Sequence, residues 1–124
     1  MKNKIFFAAA LLFGLVMINS GLNKFFGYMP MPEVSPEMMT VLMAFGTTKW
    51  IFPLVGLAEI VGGILIAIPR YRALGAIVIF PVMVGILVHH LVHDIAGIGL
   101  GLVLFAINLW VIIEHRKKYQ PMVE

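Results

Sequence analysis

Four apolar stretches, at 5–22, 50–68, 73–91 and 95–113, take up most of this sequence, and each runs for 18–19 residues. At 1.5 Å of rise per residue, a helix of that length is about 27–28 Å long, close to the hydrocarbon thickness of a bilayer. Away from their ends the four runs hold one acid, base or histidine between them, Glu59. Hydrocarbon offers the backbone no hydrogen bonds, so a crossing segment must satisfy its own N–H and C=O groups, and runs of this length do so as helices. Composition points the same way. The chain is 61% hydrophobic and 12% charged, with a mean hydropathy of +1.01. A soluble domain of 124 residues has too little interior to hide that much apolar surface. The sequence therefore predicts an all-α, polytopic membrane protein. Its single domain over 1–124 is a four-transmembrane-helix bundle, with the lipid bilayer as its first partner.

The net charge of +3 is distributed by position. Lys2 and Lys4 precede the first run, Arg70 and Arg72 join the second to the third, and Arg116, Lys117 and Lys118 follow the fourth. The opposite side has only Lys24 and Lys49. The positive-inside rule then predicts a multi-pass protein of the cell (cytoplasmic) membrane with both termini cytoplasmic. Basic groups confined to the ends of apolar runs set orientation and form no nucleic-acid patch. The first run also has the look of a secretory signal, but Asn19-Ser20-Gly21 is a poor cleavage site, and a retained span is the favoured reading. There is no cysteine, which removes thiolate ligands and disulfide chemistry.

One long connection follows the first run. Met29-Pro30-Met31-Pro32 cannot be helical, since each proline removes a donor and restricts its predecessor. Ser35-Pro36-Glu37 then reads as N-cap, first-turn proline and early acid, opening a short helix over 36–45. Its Met38, Met39, Val41, Leu42, Met43 and Phe45 make it apolar enough to lie on the bundle or in the membrane interface.

Three polar groups are candidate sites. Glu59 sits mid-span, where a carboxylate must be protonated, paired or turned to a polar cavity. It shares a helix face with Gly56 and Gly63, so a second helix should approach it closely. As a proton-handling or ligand-anchoring acid it is weighed evenly against a purely structural one. His89, His90, His93 and Asp94 end the third run, with His89 and His93 on one face and His90 and Asp94 on another. Histidines facing interfacial water are the favoured reading. Metal ligation by His89, His93 and Asp94 is the weak alternative, and neither haem nor metal is expected. Asn19, Asn23 and Lys24 end the first run; the asparagines suit interhelical hydrogen bonds and Lys24 can snorkel. The spacings Gly14–Gly21 and Gly56–Gly63 fit close helix packing, as does the alternation of Gly97, Gly99 and Gly101. Glu59 leans toward the histidine end and His89 leans back, leaving about two turns of depth that water, a ligand headgroup or Lys24 could bridge. Pro81 should kink the third span and free a carbonyl.

Gly21-Leu22-Asn23-Lys24-Phe25, Pro53-Leu54-Val55-Gly56-Leu57-Ala58-Glu59-Ile60-Val61-Gly62-Gly63, Arg72-Ala73-Leu74-Gly75-Ala76 and the closing His89 or His90 together resemble the DoxX-like family of small four-helix membrane proteins. The resemblance covers roughly residues 10–95. It implies a compact four-helix bundle, usually in a bacterial cytoplasmic membrane. Some relatives are subunits of quinone-linked oxidoreductases, among them thiosulfate:quinone oxidoreductase and terminal quinol oxidase. Others accompany oxidative-stress complexes, and no agreed catalytic residue carries over. Lys24, Glu59 and the His89/His90 pair match the family's polar positions. The expectation is an accessory subunit, not an enzyme on its own, that associates with other membrane subunits or itself. A quinone-binding redox subunit is the alternative, with quinone as cofactor. A small proton-coupled transporter is weaker still, because small exporters carry their glutamate in the first helix and this first helix has none.

Overall fold

A computed structural model describes residues 2–29 and 34–123, with side chains from residue 4 onward. The Pro30-Met31-Pro32 portion of the expected irregular stretch lies outside the described residues, as does the Lys2 side chain. Among the described residues there is no strand.

Residues free of proline and rich in alanine, leucine and phenylalanine build α1 (Lys2–Phe26). It continues a full turn beyond the apolar run, because Lys24 and Asn23 find partners within reach of a helix. It stops at Gly27, whose φ of 59° is the left-handed conformation glycine adopts freely, with the Gly27 N–H donating to the Asn23 carbonyl at 2.7 Å. The short helix starts as its sequence predicts. Extended Ser35 accepts from the Met38 N–H at 3.2 Å, and Pro36 opens α2 (Pro36–Thr48). This helix runs three residues past the expected 45 and ends at Lys49, the one non-glycine residue with positive φ (69°) among the described residues. The chain then turns through 91° into α3 (Ile51–Ala67).

A single 3₁₀ turn, Pro69–Tyr71, leads into α4 (Arg72–His93), which runs through Pro81 without a break. Only the carbonyl of Ile77, four residues earlier, loses its helical donor there. The first three residues of the fourth run are a 3₁₀ turn, Ile95–Gly97, rather than the α-helix expected, because Asp94 (φ −156°) reverses the chain and Gly97 N–H closes on its carbonyl at 3.1 Å. Then come α5 (Ile98–Glu114), the basic α6 (Arg116–Tyr119) and a last 3₁₀ turn, Gln120–Val123.

Helices α1, α3, α4 and α5 pack side by side in that order, and a smaller α1–α5 contact closes the ring. Three segments are long and apolar enough to cross a membrane: 4–26 with α1, 69–93 with α4, and 95–114 with α5. The 17-residue α3 reaches the same length only together with α2. We call the end where α1 and α4 finish the upper end, and the end carrying the 68–72 turn and α6 the lower end.

Glycine sets how closely the helices approach. A Cβ at Gly14 would lie 2.7 Å from the Gly63 carbonyl oxygen, and one at Gly21 would lie 2.5 Å from that of Gly56, so α1 and α3 touch backbone to backbone at two levels. On the adjoining face, a Cβ at Gly75 would meet Ile66 N at 2.6 Å and Gly62 O at 2.8 Å, bringing α4 equally close to α3. The expected packing role therefore holds for Gly14, Gly21, Gly56 and Gly63. It fails for Gly99, which has open space around it, and Gly101 meets only ordinary contacts. Gly99 is on an exposed face of α5, whereas a Cβ on buried Gly101 would face Ile86 and His90 of α4 at 3.8 and 4.0 Å, and Gly97 is crowded most closely by Asp94 of its own turn. Phe13, Met17, Ile66, Ile79, Met83 and Val111 fill the core between the helices.

Two polar devices hold the lower half, one from Arg72, read from sequence as an orienting cation, and one from Asn108, which the sequence did not single out. Buried Arg72 donates from Nε to the Ile66 carbonyl at 2.7 Å and reaches the Ala67 carbonyl at 3.4 Å. These are carbonyls in the last turn of α3, where a cation is favoured by the helix dipole. The same guanidinium lies 5.2 Å from the Phe7 ring centroid, which ties α1 to this corner. Asn108, fully buried in α5, donates to the Ala76 carbonyl of α4 at 3.2 Å.

Candidate functional site

Glu59 lies on α3 between the Gly56–Gly63 face that meets α1 and the Gly62–Ile66 face that meets α4. Side chains in a helix lean toward its N-terminus. Helix α3 begins at the upper end, so Glu59 leans upward. Helix α1 ends there, so Lys24 leans downward, passing Ser20 one turn earlier, whose Oγ accepts from Nζ at 3.1 Å. The two meet. Lys24 Nζ is 2.5 Å from Glu59 Oε1, with the carboxylate side chain 1% exposed and the lysine 23%. The contact is ionic and is not aligned as a hydrogen bond, and Oε2 has no hydrogen-bond partner among the described residues.

Such a pair carries no net charge, so its burial leaves no uncompensated ion in the bundle. It also leaves one oxygen to accept a bond from a small donor. Lys24, one of the bridging groups considered from sequence, reaches Glu59.

The histidines form a separate group at the upper end. The Gly62–Ile79 and Gly75–Ile66 contacts fix the antiparallel register of α3 and α4, which sets Glu59 level with Val82 and His89 level with Phe52. Seven residues of helix, about 10 Å, separate the two levels. The His89 ring lies tilted against Phe45 of α2 at 5.8 Å and against His93 at 5.4 Å, and its Nε2 is buried with no hydrogen-bond partner among the described residues. His93 Nδ1 is 3.2 Å from Glu37 Oε1, linking α4 to the start of α2. His90 turns back along its own helix, with Nδ1 donating to the Ile86 carbonyl at 2.9 Å, and the Asp94 carboxylate crowds Gly97. Among the described residues, no three His, Asp or Glu side chains are grouped so as to hold a metal ion.

Asn19 and Asn23 bond the turn that follows α1 rather than making the interhelical hydrogen bonds expected of them. Asn19 accepts from the Tyr28 hydroxyl at both its carbonyl (2.9 Å) and its Oδ1, and Asn23 Oδ1 accepts from the Met29 N–H at 2.9 Å. The chain reverses immediately after them, so its polar groups are the nearest partners. Sequence reading passed over Ser20, although it lies four residues before Lys24 on the same face. It also passed over Asn108, although it is the lone amide in its apolar run.

The DoxX family profile matches residues 6–94, which takes in α1 through α4 and every group of the Lys24–Glu59 and histidine clusters. The chain is also similar to the uncharacterized protein YwoB of Bacillus subtilis (strain 168), with 30% identity over 95 residues. That alignment covers 70% of this chain and 62% of the relative, so the chain spans less than two thirds of its relative's length. No solved structure matches the chain. With most of its length inside the family's pattern, and apolar helices of membrane-crossing length, the chain is a membrane-protein member of the DoxX family.

Proposed function

We propose that this DoxX protein is a non-catalytic accessory subunit of the bacterial cytoplasmic membrane. In this reading it crosses four times with both termini cytoplasmic, α2 lies in the outer interface, and the protein stabilises a partner subunit or a second copy of itself. One observation carries the reading. The sole carboxylate within the apolar runs is paired inside the chain, across a helix contact too tight to admit a substrate. Meanwhile Gly85 and Gly99 sit on exposed faces with open space around them, where another helix can approach closely.

Two results check this. In gently extracted membranes the protein runs in an assembly larger than one chain, and Gly85→Leu or Gly99→Leu releases a folded monomer. A wild-type chain that is monomeric under those conditions ends the proposal. The ion pair supplies a second check. Removing one partner of a buried pair strands the other, at a cost of about 3–5 kcal/mol, whereas replacing both by apolar residues is often neutral. Lys24→Met should therefore lose thermal stability, and Lys24→Met with Glu59→Met should recover it together with the assembly. A stable double variant that no longer supports its partner would assign the pair a chemical role instead.

A second reading, a quinone-binding subunit of a membrane oxidoreductase, is favoured by two of the buried polar atoms left without a hydrogen-bond partner among the described residues, Glu59 Oε2 and His89 Nε2. Saturable binding of a quinone analogue that is lost in Glu59→Gln would support it. No saturable binding would remove it.

A further inference from the structure

The lower end carries a second polar feature, away from the Lys24–Glu59 pair. A cavity of about 250 Å³ opens between the start of α4 and the chain after α5. Two cations stand at it, Arg70 and Lys118, and its other walls include Leu74 and Ile77 of α4, Met122 and Tyr119. Among the described residues neither cation is in an ion pair, and no carboxylate lines the cavity. Glu114, the nearest acid in sequence, is not among the lining residues; it accepts from Trp110 Nε1 at 3.3 Å and borders, with Lys118, a neighbouring depression.

The cavity is built rather than incidental. The Tyr119 hydroxyl donates to the Ala73 carbonyl at 2.7 Å, which pins α6 against α4 and forms one wall. Above the cations, Leu74 and Ile77 lie on one exposed stripe of α4, 55% and 40% accessible, that climbs from the lower end toward the middle of the span. Positive charge at the mouth and a hydrocarbon track rising from it are the two ends of one kind of molecule. We infer that this groove binds an anionic glycerophospholipid of the leaflet at the basic end, with Arg70 and Lys118 on the phosphate and an acyl chain along Leu74 and Ile77. A free phosphate would leave the track empty, and a zwitterionic lipid would bring no net charge to the cations. The inference needs only a membrane-embedded chain and stands apart from the accessory-subunit reading.

The test uses the full-length chain in a neutral detergent, titrated with phosphatidylglycerol, phosphatidylcholine or inorganic phosphate, with bound lipid counted by native mass spectrometry and thermal stability followed in parallel. Phosphatidylglycerol should bind saturably, with one tight site, and raise the melting temperature, while the other two should not. Arg70→Gln and Lys118→Gln should each weaken that site about five-fold. Tyr119→Phe, which leaves every charge in place but removes the pin, should weaken it as well. Lys4→Gln with Lys117→Gln, which removes charge outside the groove, should leave it unchanged. Equal weakening by the Lys4/Lys117 variant would mean a diffuse basic surface and overturn the inference, as would saturation by phosphate alone or wild-type binding in the groove variants.

Discussion

An alanine methyl at position 63 would sit 2.6 Å from the Gly14 carbonyl oxygen, and neither backbone can yield without separating α1 from α3. Gly63→Ala should therefore cost about 1–3 kcal/mol, the usual penalty of overpacking. In the dissociated chain Gly99→Ala, with no other part of the chain near it, should be neutral or gain up to about 1 kcal/mol from helix propensity. Thermal denaturation in detergent separates the two; similar melting temperatures would contradict the packing described. The contrast shows what sequence makes legible at this scale. Seven-residue spacing identified Gly14, Gly21, Gly56 and Gly63 because that spacing returns to one helix face. Spacing does not say which face meets a neighbour, so Gly99 and Gly101 were read the same way and one of them packs on nothing. Glu59 was conspicuous as an acid in an oily run, and Lys24 was among the groups that could reach it. Asn108 was not conspicuous, because a buried amide that bonds a neighbouring carbonyl leaves no charge pattern.

The boundaries of α2 illustrate the element scale. Its start was readable because Ser35 and Pro36 each have a fixed use at a helix N-terminus. Its end was not, because Lys49 adopts a left-handed backbone that a lysine seldom chooses, and the adjoining turn imposes it. Lys49→Gly should relieve about 1 kcal/mol of that strain, and the β-branched Lys49→Val should add to it. Opposite shifts in melting temperature would check both. At the other end of the chain, burial raises the Tyr119 pKa above the ordinary phenol value of 10.0. The folded state thus holds this proton more tightly than the unfolded one. The contribution of docked α6 is complete below that value and is lost as pH rises through the higher folded pKa. Tyrosinate absorbance should show one phenol ionising late, and Tyr119→Phe should remove that late step.

For the whole molecule, the all-helical fold was legible because four apolar runs leave few alternatives. The packing order was not, since no local pattern says that α1 lies against α3. The proposed topology is open to a direct check, because a chain without cysteine accepts single reporters cleanly. Thr47→Cys should react with an impermeant maleimide applied outside intact cells. Arg70→Cys and Lys117→Cys should react only after lysis. Labelling of Thr47→Cys and Arg70→Cys from the same side would make α2 and α3 a re-entrant pair and leave three crossings.

The α1–α3 contact also bears on biogenesis. A ribosome delivers Lys24 about 35 residues before the acid it will neutralise. The third helix on its own asks the translocon to accept an unpaired carboxylate, a penalty of about 2.5–3.5 kcal/mol at mid-bilayer. If the first helix stays at the exit site until its successor arrives, Lys24 would remove that penalty by pairing with the acid. Nascent chains lacking residues 1–29 should integrate α3 poorly, and Glu59→Leu should restore integration in a glycosylation-mapping assay.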